Sequence, residues 1–98
     1  MKQTETQKQT AYDYLTTLLC NTEDRAHLSQ LLSALMTEKE QQEFINRLKI
    51  FAYLQQGLPQ REISRQLGVG IATVSRGAKA FRQYPIATLF PCLDDVLL

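Results

Sequence analysis

With 98 residues, the chain is long enough for one domain, and its 44% hydrophobic content favours a globular protein over a disordered one. It has no apolar run of membrane-spanning length and no secretory pattern, so we expect a cytoplasmic protein without a membrane partner. The net charge of +1 hides an uneven distribution, because residues 47–82 hold seven basic residues and one acidic residue, Glu62. A phosphate-binding face needs such a segment, although a solvated basic surface without a partner would look the same.

The cysteine and histidine content predicts neither a metal site nor an enzyme. Cys20 and Cys92 are far apart and have no Cys or His neighbour, so they form neither a disulfide framework nor a zinc site. We interpret both as buried free thiols. The single histidine, His27, has no nucleophile or carboxylate pair beside it, which argues against catalysis.

Hydrophobic periodicity predicts helices along the first half of the chain. The polar residues 1–9 predict a flexible N-terminal arm, and one helical domain is expected over residues 10–98. Leucines at helical spacing predict a first helix from Thr10 and a second helix that Thr22 caps. The apolar positions of these two helices are Ala11, Tyr12, Leu15, Leu18, Leu19, Leu28, Leu31, Leu32 and Leu35.

The third predicted helix is apolar on almost every side. Thr37 and Glu40 have the spacing of a capping box, and the helix is expected to continue to about Gln56. Its apolar positions are Phe44, Ile45, Leu48, Ile50, Phe51, Ala52, Tyr53 and Leu54. Since so short a chain cannot cover all of these, a second copy of the chain is expected to cover some of them. A short last helix is expected around residues 93–97.

Residues 60–81 predict a helix-turn-helix. A two-turn helix over residues 60–67 is followed by a turn over residues 68–70, where Gly68 can adopt positive φ, and by a helix over residues 71–81. Four residues of the second helix are expected to pack inward: Ile71, Val74, Ala78 and Phe81. Four others are expected to point outward: Ala72, Thr73, Arg76 and Lys79.

The outward residues of this motif suit the major groove of DNA. Ala72 and the methyl group of Thr73 can contact a thymine methyl group, and the Thr73 hydroxyl can reach a base edge. Around them, phosphates can be held by Arg61, Ser64, Arg65 and Ser75. The alternative is an ordinary helical corner within a core. Turn glycine, apolar flanks and an outward polar face together favour DNA binding.

The segment from Gln60 to Gly77 resembles the tryptophan repressor family, with Gln60-Arg61-Glu62 and then the run from Leu67 to Gly77 as its most specific part. The resemblance extends back through Leu31 and forward to Leu97. It implies an all-α, intertwined helical homodimer with a helix-turn-helix DNA-reading head. It also implies repression at a near-palindromic operator with L-tryptophan as corepressor, acting on genes of tryptophan biosynthesis or transport.

Carried over residue by residue, the resemblance implies a ligand site. Arg76 would pair with the ligand carboxylate, Arg47 would lie against the indole, and Thr37 would also contact the carboxylate. Gly77 would leave room for the ring. The ligand amine would meet backbone carbonyls of Ala34 and Met36 from the partner subunit. The DNA-facing positions implied in the same way are Arg61, Ile71, Ala72, Thr73 and Ser75.

The sequence departs from the family pattern near these positions. Arg76-Gly77 is followed by Ala78-Lys79 where the family has serine and asparagine. Ala80 replaces the serine that helps to hold the ligand amine, and Ser64 replaces a lysine that often contacts DNA. The loop before the motif is one residue shorter. Two alternatives therefore stay open: a helix-turn-helix protein of this fold with another ligand or none, and a helical module that binds a protein.

Overall fold

The computed structural model describes the backbone of residues 5–98 and the side chains of residues 8–98. Within this range the chain forms six α-helices, one 3₁₀-helix and no strand, which confirms the predicted all-α fold. Their bounds are α1 Glu5–Asn21, α2 Arg25–Leu35, α3 Glu38–Gln55, α4 Gln60–Leu67, α5 Ile71–Gln83, α6 Ile86–Leu89 and the 3₁₀-helix Leu93–Leu97. No helix in this range is long and apolar enough to cross a membrane.

The first compact unit ends at Glu38 and holds α1 and α2. Because α1 begins at Glu5, the part of the predicted arm from residue 5 to residue 9 is helical, and residues 1–4 lie outside the described range. The segment Glu-Thr-Gln-Lys-Gln is rich in straight-chain residues, which favour a helix without needing an apolar face. No described side chain of α1 or α2 is buried.

The cap of α2 differs from the predicted one. The carboxylate of Asp24, not the hydroxyl of Thr22, accepts the amide hydrogen of His27 at 2.8 Å. Thr22 instead donates its hydroxyl to the carbonyl of Leu18 at 2.7 Å, at the end of α1. An aspartate at the N-cap accepts a backbone hydrogen as well as a threonine does, and its charge also favours the helix N-terminus.

The second unit, Lys39–Leu98, contains the buried core. Consecutive residues near the end of α3 divide that core into two clusters. Phe51 packs against Phe81 and Phe90, with ring centroids 6.4 and 5.7 Å away, in a cluster that includes Ala52, Ile86 and Leu93. Ile50 packs in a second cluster with Ile63 of α4 and Val74 of α5. The apolar residues of α3 from Leu48 to Leu54 therefore serve both clusters, whereas Phe44 and Ile45 stay exposed.

Two backbone hydrogen bonds to one carbonyl group close the turn between α4 and α5. Gly68 adopts φ 68°, as the sequence predicts, and its amide and that of Val69 both donate to the Ser64 carbonyl, at 3.0 and 3.3 Å. Ile63 and Val74 are fully buried between the two helices. Ile71 is 52% exposed, so its predicted inward packing is wrong: it opens the first turn of α5, before that helix meets the core.

The exposure of the two cysteines corrects another expectation. Cys20 and Cys92 are both free, as predicted, but both are exposed rather than buried. Cys20 lies at the last turn of α1, within a unit that has no buried described side chain. Cys92 has φ 57° at the start of the 3₁₀-helix, where the neighbouring Leu93 occupies the core position instead.

The packing of α5 on α3 depends on Gly77. A Cβ atom built on Gly77 would lie 2.8 Å from Cγ2 of Ile50, a branched and fully buried side chain that has little room to move. The absence of a side chain at Gly77 therefore sets how closely the two helices approach. A Cβ atom on Gly70, at the N-cap of the same helix, would meet nothing within 4 Å.

We expect Gly77→Ala to destabilise the protein by about 1–3 kcal/mol, because overpacking of the Ile50 contact outweighs the gain in helix propensity. Thermal or urea unfolding measures this change. Gly70→Ala is the matched control, and its free energy of unfolding should stay near that of the wild type. A Gly77→Ala protein at least as stable as the wild type would show that α3 and α5 are not in close contact.

Candidate nucleic-acid interface and ligand cavity

The sequence-predicted DNA-contact residues share one pair of helices. Those on α4 are Arg61, Ser64 and Arg65, and those on α5 are Ile71, Ala72, Thr73, Ser75 and Lys79. All are exposed except Ser64 and Thr73, which are half-buried. The exposed sides of the two helices carry these residues, since the opposite sides pack in the shared cluster of Ile63 and Val74.

A hydrogen bond joins the two helices across this surface. The hydroxyl of Ser75 on α5 donates to Oε1 of Gln60 on α4 at 2.9 Å. This orients the amide of Gln60 and leaves its NH₂ group to donate to another acceptor. Sequence reasoning missed Gln60 as a surface residue of interest, because nothing in the sequence indicates that residues 15 positions apart make this contact.

Ser64 has a structural partner within the turn. Its hydroxyl donates to the carbonyl of Val69 at 2.6 Å, and the side chain is half-buried. The hydrogen that was expected to reach a phosphate is therefore used to hold the turn. This follows from the position of Ser64 in the last turn of α4, directly beneath the chain reversal.

The two arginines of α4 differ in their partners. Arg65 donates Nε to Oε2 of Glu62 at 3.0 Å and Nη2 to Oε1 of the same carboxylate, while Gln66 donates to Oε1 at 3.1 Å. The hydrogen bond from Arg65, followed by that from Gln66, lowers the pKa of Glu62 from 4.5 to about 2. Arg61 forms no ion pair with any residue in the described part of the chain.

A cavity of about 340 Å³ lies within the second unit, next to α5. Arg47 on α3 and Arg76 on α5 both line it, with an apolar wall from Phe44 and Ile50. The remaining lining residues are Glu43, Asn46 and Thr73. Its volume suits a small organic molecule, and its two guanidinium groups suit a carboxylate. The structure therefore brings together the two arginines that were predicted to hold a ligand.

Thr73 belongs to both features. Its side chain lines the cavity and accepts a hydrogen bond from Nη2 of Arg76 at 3.3 Å, while its helix carries the exposed polar face. Sequence reasoning placed Thr73 at the DNA side alone and did not predict that it also lines the cavity.

For the other sequence-predicted ligand residues, the ligand role stays a prediction. Gly77 is buried against Ile50, so its missing side chain serves helix packing. Ala80 packs beside the Phe51 cluster and is not among the residues that line the cavity. Ala34, Met36 and Thr37 belong to the first unit, and their contact with a ligand stays a prediction.

Comparison with known proteins identifies the family. The family model described as Trp repressor protein matches residues 10–86. The chain belongs to the Trp repressor family. This confirms the resemblance predicted from the sequence and extends it into α1, although the match ends at Ile86 rather than Leu97. No solved structure matches the chain significantly.

Curated relatives in the Trp repressor family cover most of the chain. A Trp operon repressor homolog of Aliivibrio fischeri strain MJ11 is 37% identical over 78 residues, which are 79% of this chain and 72% of that protein. The homolog of Xylella fastidiosa strain M23 is 31% identical over 72% of this chain and 78% of its own length. The homolog of Vibrio vulnificus strain YJ016 is 43% identical over 61% of this chain and 59% of its own length.

Membership in the Trp repressor family decides the class of activity. The family is regulatory and binds DNA, and it is not enzymatic, in agreement with the expectation drawn from the sequence. The match supports a transcriptional repressor. It also covers all of α4 and α5, together with the cavity residues of α3.

Proposed function

We propose that this protein is a sequence-specific repressor that reads DNA with α4 and α5 as a helix-turn-helix and uses L-tryptophan as its corepressor. The target genes would be those of tryptophan biosynthesis or transport. The observation that carries the proposal is the cavity lined by Arg47 of α3 and by Arg76 and Thr73 of α5, the helix whose exposed side holds the proposed DNA contacts. One element thus takes part in both the ligand site and the DNA surface.

The DNA-reading role rests on the exposed side of α5. Ala72 offers a methyl group to a thymine, and Thr73 offers a methyl and a hydroxyl group to a base edge. Phosphates would be held by Lys79 and Arg61, which are exposed, and by the NH₂ group of Gln60, which Ser75 orients. These contacts require α5 to lie in the major groove with α4 across its edge.

The corepressor role rests on charge and shape. A ligand carboxylate would pair with Arg76, and a flat aromatic ring would lie between Arg47 and the apolar wall of Phe44 and Ile50. A ligand held by both α3 and α5 would favour one angle between them, and only a matching angle lets two copies of α5 enter the DNA together. Binding of ligand and DNA should therefore be reciprocal.

The homodimer rests on apolar surface that one chain leaves uncovered. No described side chain of α1 or α2 is buried, and isolated helices of this length are marginal in water. On α3, Phe44 is 60% exposed and Ile45 is 44% exposed. A second copy of the chain would cover these residues and would place the two copies of α5 about 34 Å apart, one turn of DNA.

Dimerisation can be tested with a charged substitution on α3. We expect a dimeric mass at micromolar concentration, and we expect Ile45→Glu to shift the protein to monomer with loss of helix, because the charge enters the covered surface. Sedimentation and circular dichroism measure both changes. Leu98→Glu, at the fully exposed last residue, is the control. A wild-type monomer with full helical content would contradict the dimer.

DNA reading can be tested by separating base contacts from phosphate contacts. We expect Thr73→Val to relax sequence preference, because it removes the hydroxyl and keeps the shape. We expect Arg61→Ala to weaken binding to every sequence and to flatten the salt slope by about 0.9 for each subunit. Lys39→Ala, at the start of α3, is the control for charge. If Thr73→Val altered neither affinity nor preference, α5 would not be the reading helix.

Ligand binding can be tested by calorimetry with L-tryptophan. We expect the wild type to bind and Arg76→Ala to bind roughly 10- to 100-fold more weakly, because a charge-assisted hydrogen bond to the carboxylate is lost. Ala80→Ser should strengthen binding if the ligand amine reaches α5 from the cavity. Arg82→Ala, an exposed arginine of the same helix outside the cavity, is the control.

The alternative is a DNA-binding protein of this fold with another effector or none, and the observation that favours it is the position of Ala80 among the Phe51 cluster residues rather than at the cavity. No heat from L-tryptophan with either the wild type or Ala80→Ser would decide for this alternative. DNA binding that is independent of L-tryptophan would decide in the same way.

A further inference from the structure

Glu62 is the one acidic residue between positions 47 and 82, and it is paired with an arginine of the proposed DNA surface. Its carboxylate binds the Nε and Nη2 edge of the Arg65 guanidinium with both oxygens. Arginine can bind a phosphate through this edge of the guanidinium group, with two parallel hydrogen bonds. In the free protein, therefore, a carboxylate occupies one of the two-donor edges with which Arg65 could bind a phosphate.

The angular positions of residues around α4 show in which direction the ion pair draws the Arg65 side chain. The Ser75 hydrogen bond shows that Gln60 lies on the side of α4 that continues into α5. At 3.6 residues per turn, Arg61, Arg65 and Glu62 follow roughly 100°, 140° and 200° around the helix from Gln60. Glu62 thus lies beyond Arg65 as seen from α5, and the ion pair draws the guanidinium away from the surface that α4 and α5 share.

The strength of the restraint is moderate. The side chain of Arg65 is 70% exposed, and exposed ion pairs of this kind are weak because solvent screens them. Gln66 adds a third hydrogen bond to the same carboxylate and holds it in place. A phosphate can compete with such a pair, but it must first displace Arg65 from Glu62 and then approach beside a negative carboxylate.

We propose that Glu62 withholds Arg65 from the DNA backbone and so limits the affinity of this protein for DNA of any sequence. The inference rests on the proposed function, because it assigns Glu62 and Arg65 a role at the same DNA surface. Phosphate contacts carry no sequence information. A protein that makes one fewer such contact in each subunit stays bound only where base contacts add to the affinity.

The test is a double-mutant cycle on a duplex of random sequence, with and without L-tryptophan. Glu62→Gln should raise affinity roughly threefold to tenfold and steepen the salt slope by about 0.9 for each subunit, because one phosphate contact is gained. Arg65→Ala should weaken binding less in the wild-type background than in the Glu62→Gln background. In the Glu62→Gln background, Arg65→Ala should abolish most of the gain.

A second variant separates the ion pair from the loss of a negative charge near DNA. Arg65→Lys keeps the positive charge but cannot form the bidentate contact with Glu62. This variant should therefore bind the random duplex more tightly than the wild type. Circular dichroism should show unchanged helix in every variant. Gains from Glu62→Gln of equal size with and without Arg65 would overturn the proposal, because the carboxylate would then act on DNA by itself.

The outcome is distinguishable from failure of the proposed function. If the wild type binds neither the random duplex nor an operator selected from random sequence, the DNA-binding function fails. If the wild type binds DNA but Glu62→Gln leaves affinity and salt slope unchanged, the withholding role of Glu62 fails alone.

Discussion

The close approach of α5 to α3 is the constraint on which the functional surface depends. Because Gly77 has no side chain, Ile50 packs against the backbone of α5. This fixes α5 through its buried residues Val74, Gly77 and Ala78 and leaves the other side of the same helix exposed. Directly beside this contact, Arg47 and Arg76 line a cavity whose wall includes Ile50. The tight packing and the cavity therefore adjoin each other on the same pair of helices.

In the proposed function, α5 links the ligand cavity to the DNA-reading surface. Arg76 donates a hydrogen bond to Thr73 inside the cavity, while the helix that carries both residues presents Ala72 and Lys79 outward. A molecule bound at the cavity would favour one orientation of α5 relative to α3, and it would not need to contact DNA. The proposed corepressor action needs no distant pathway, because the two sites share one helix.

The surface of α4 shows how an accumulation of positive charge is moderated. Arg61 forms no ion pair within the described residues, whereas Arg65 is bound by Glu62, and Gln66 supports that carboxylate. Two arginines one helical turn apart thus have different environments. Ser64, between them, is used to close the turn through Val69. Position on the helix, rather than residue type, therefore decides which of the two arginines has a carboxylate partner within the described residues.

The sequence by itself determined the helical class, the turn at Gly68 and both ends of α4, which begins and ends at the predicted residues. This was possible because hydrophobic spacing and a glycine with positive φ are local properties. It also determined the family, through the run from Gln60 to Gly77. Tertiary structure alone decided that Ile71 is exposed, that Gly77 serves packing against Ile50, and that Ser75 contacts Gln60. These three features depend on which residues of two helices come into contact. Periodicity within one helix does not indicate how close the neighbouring helix lies.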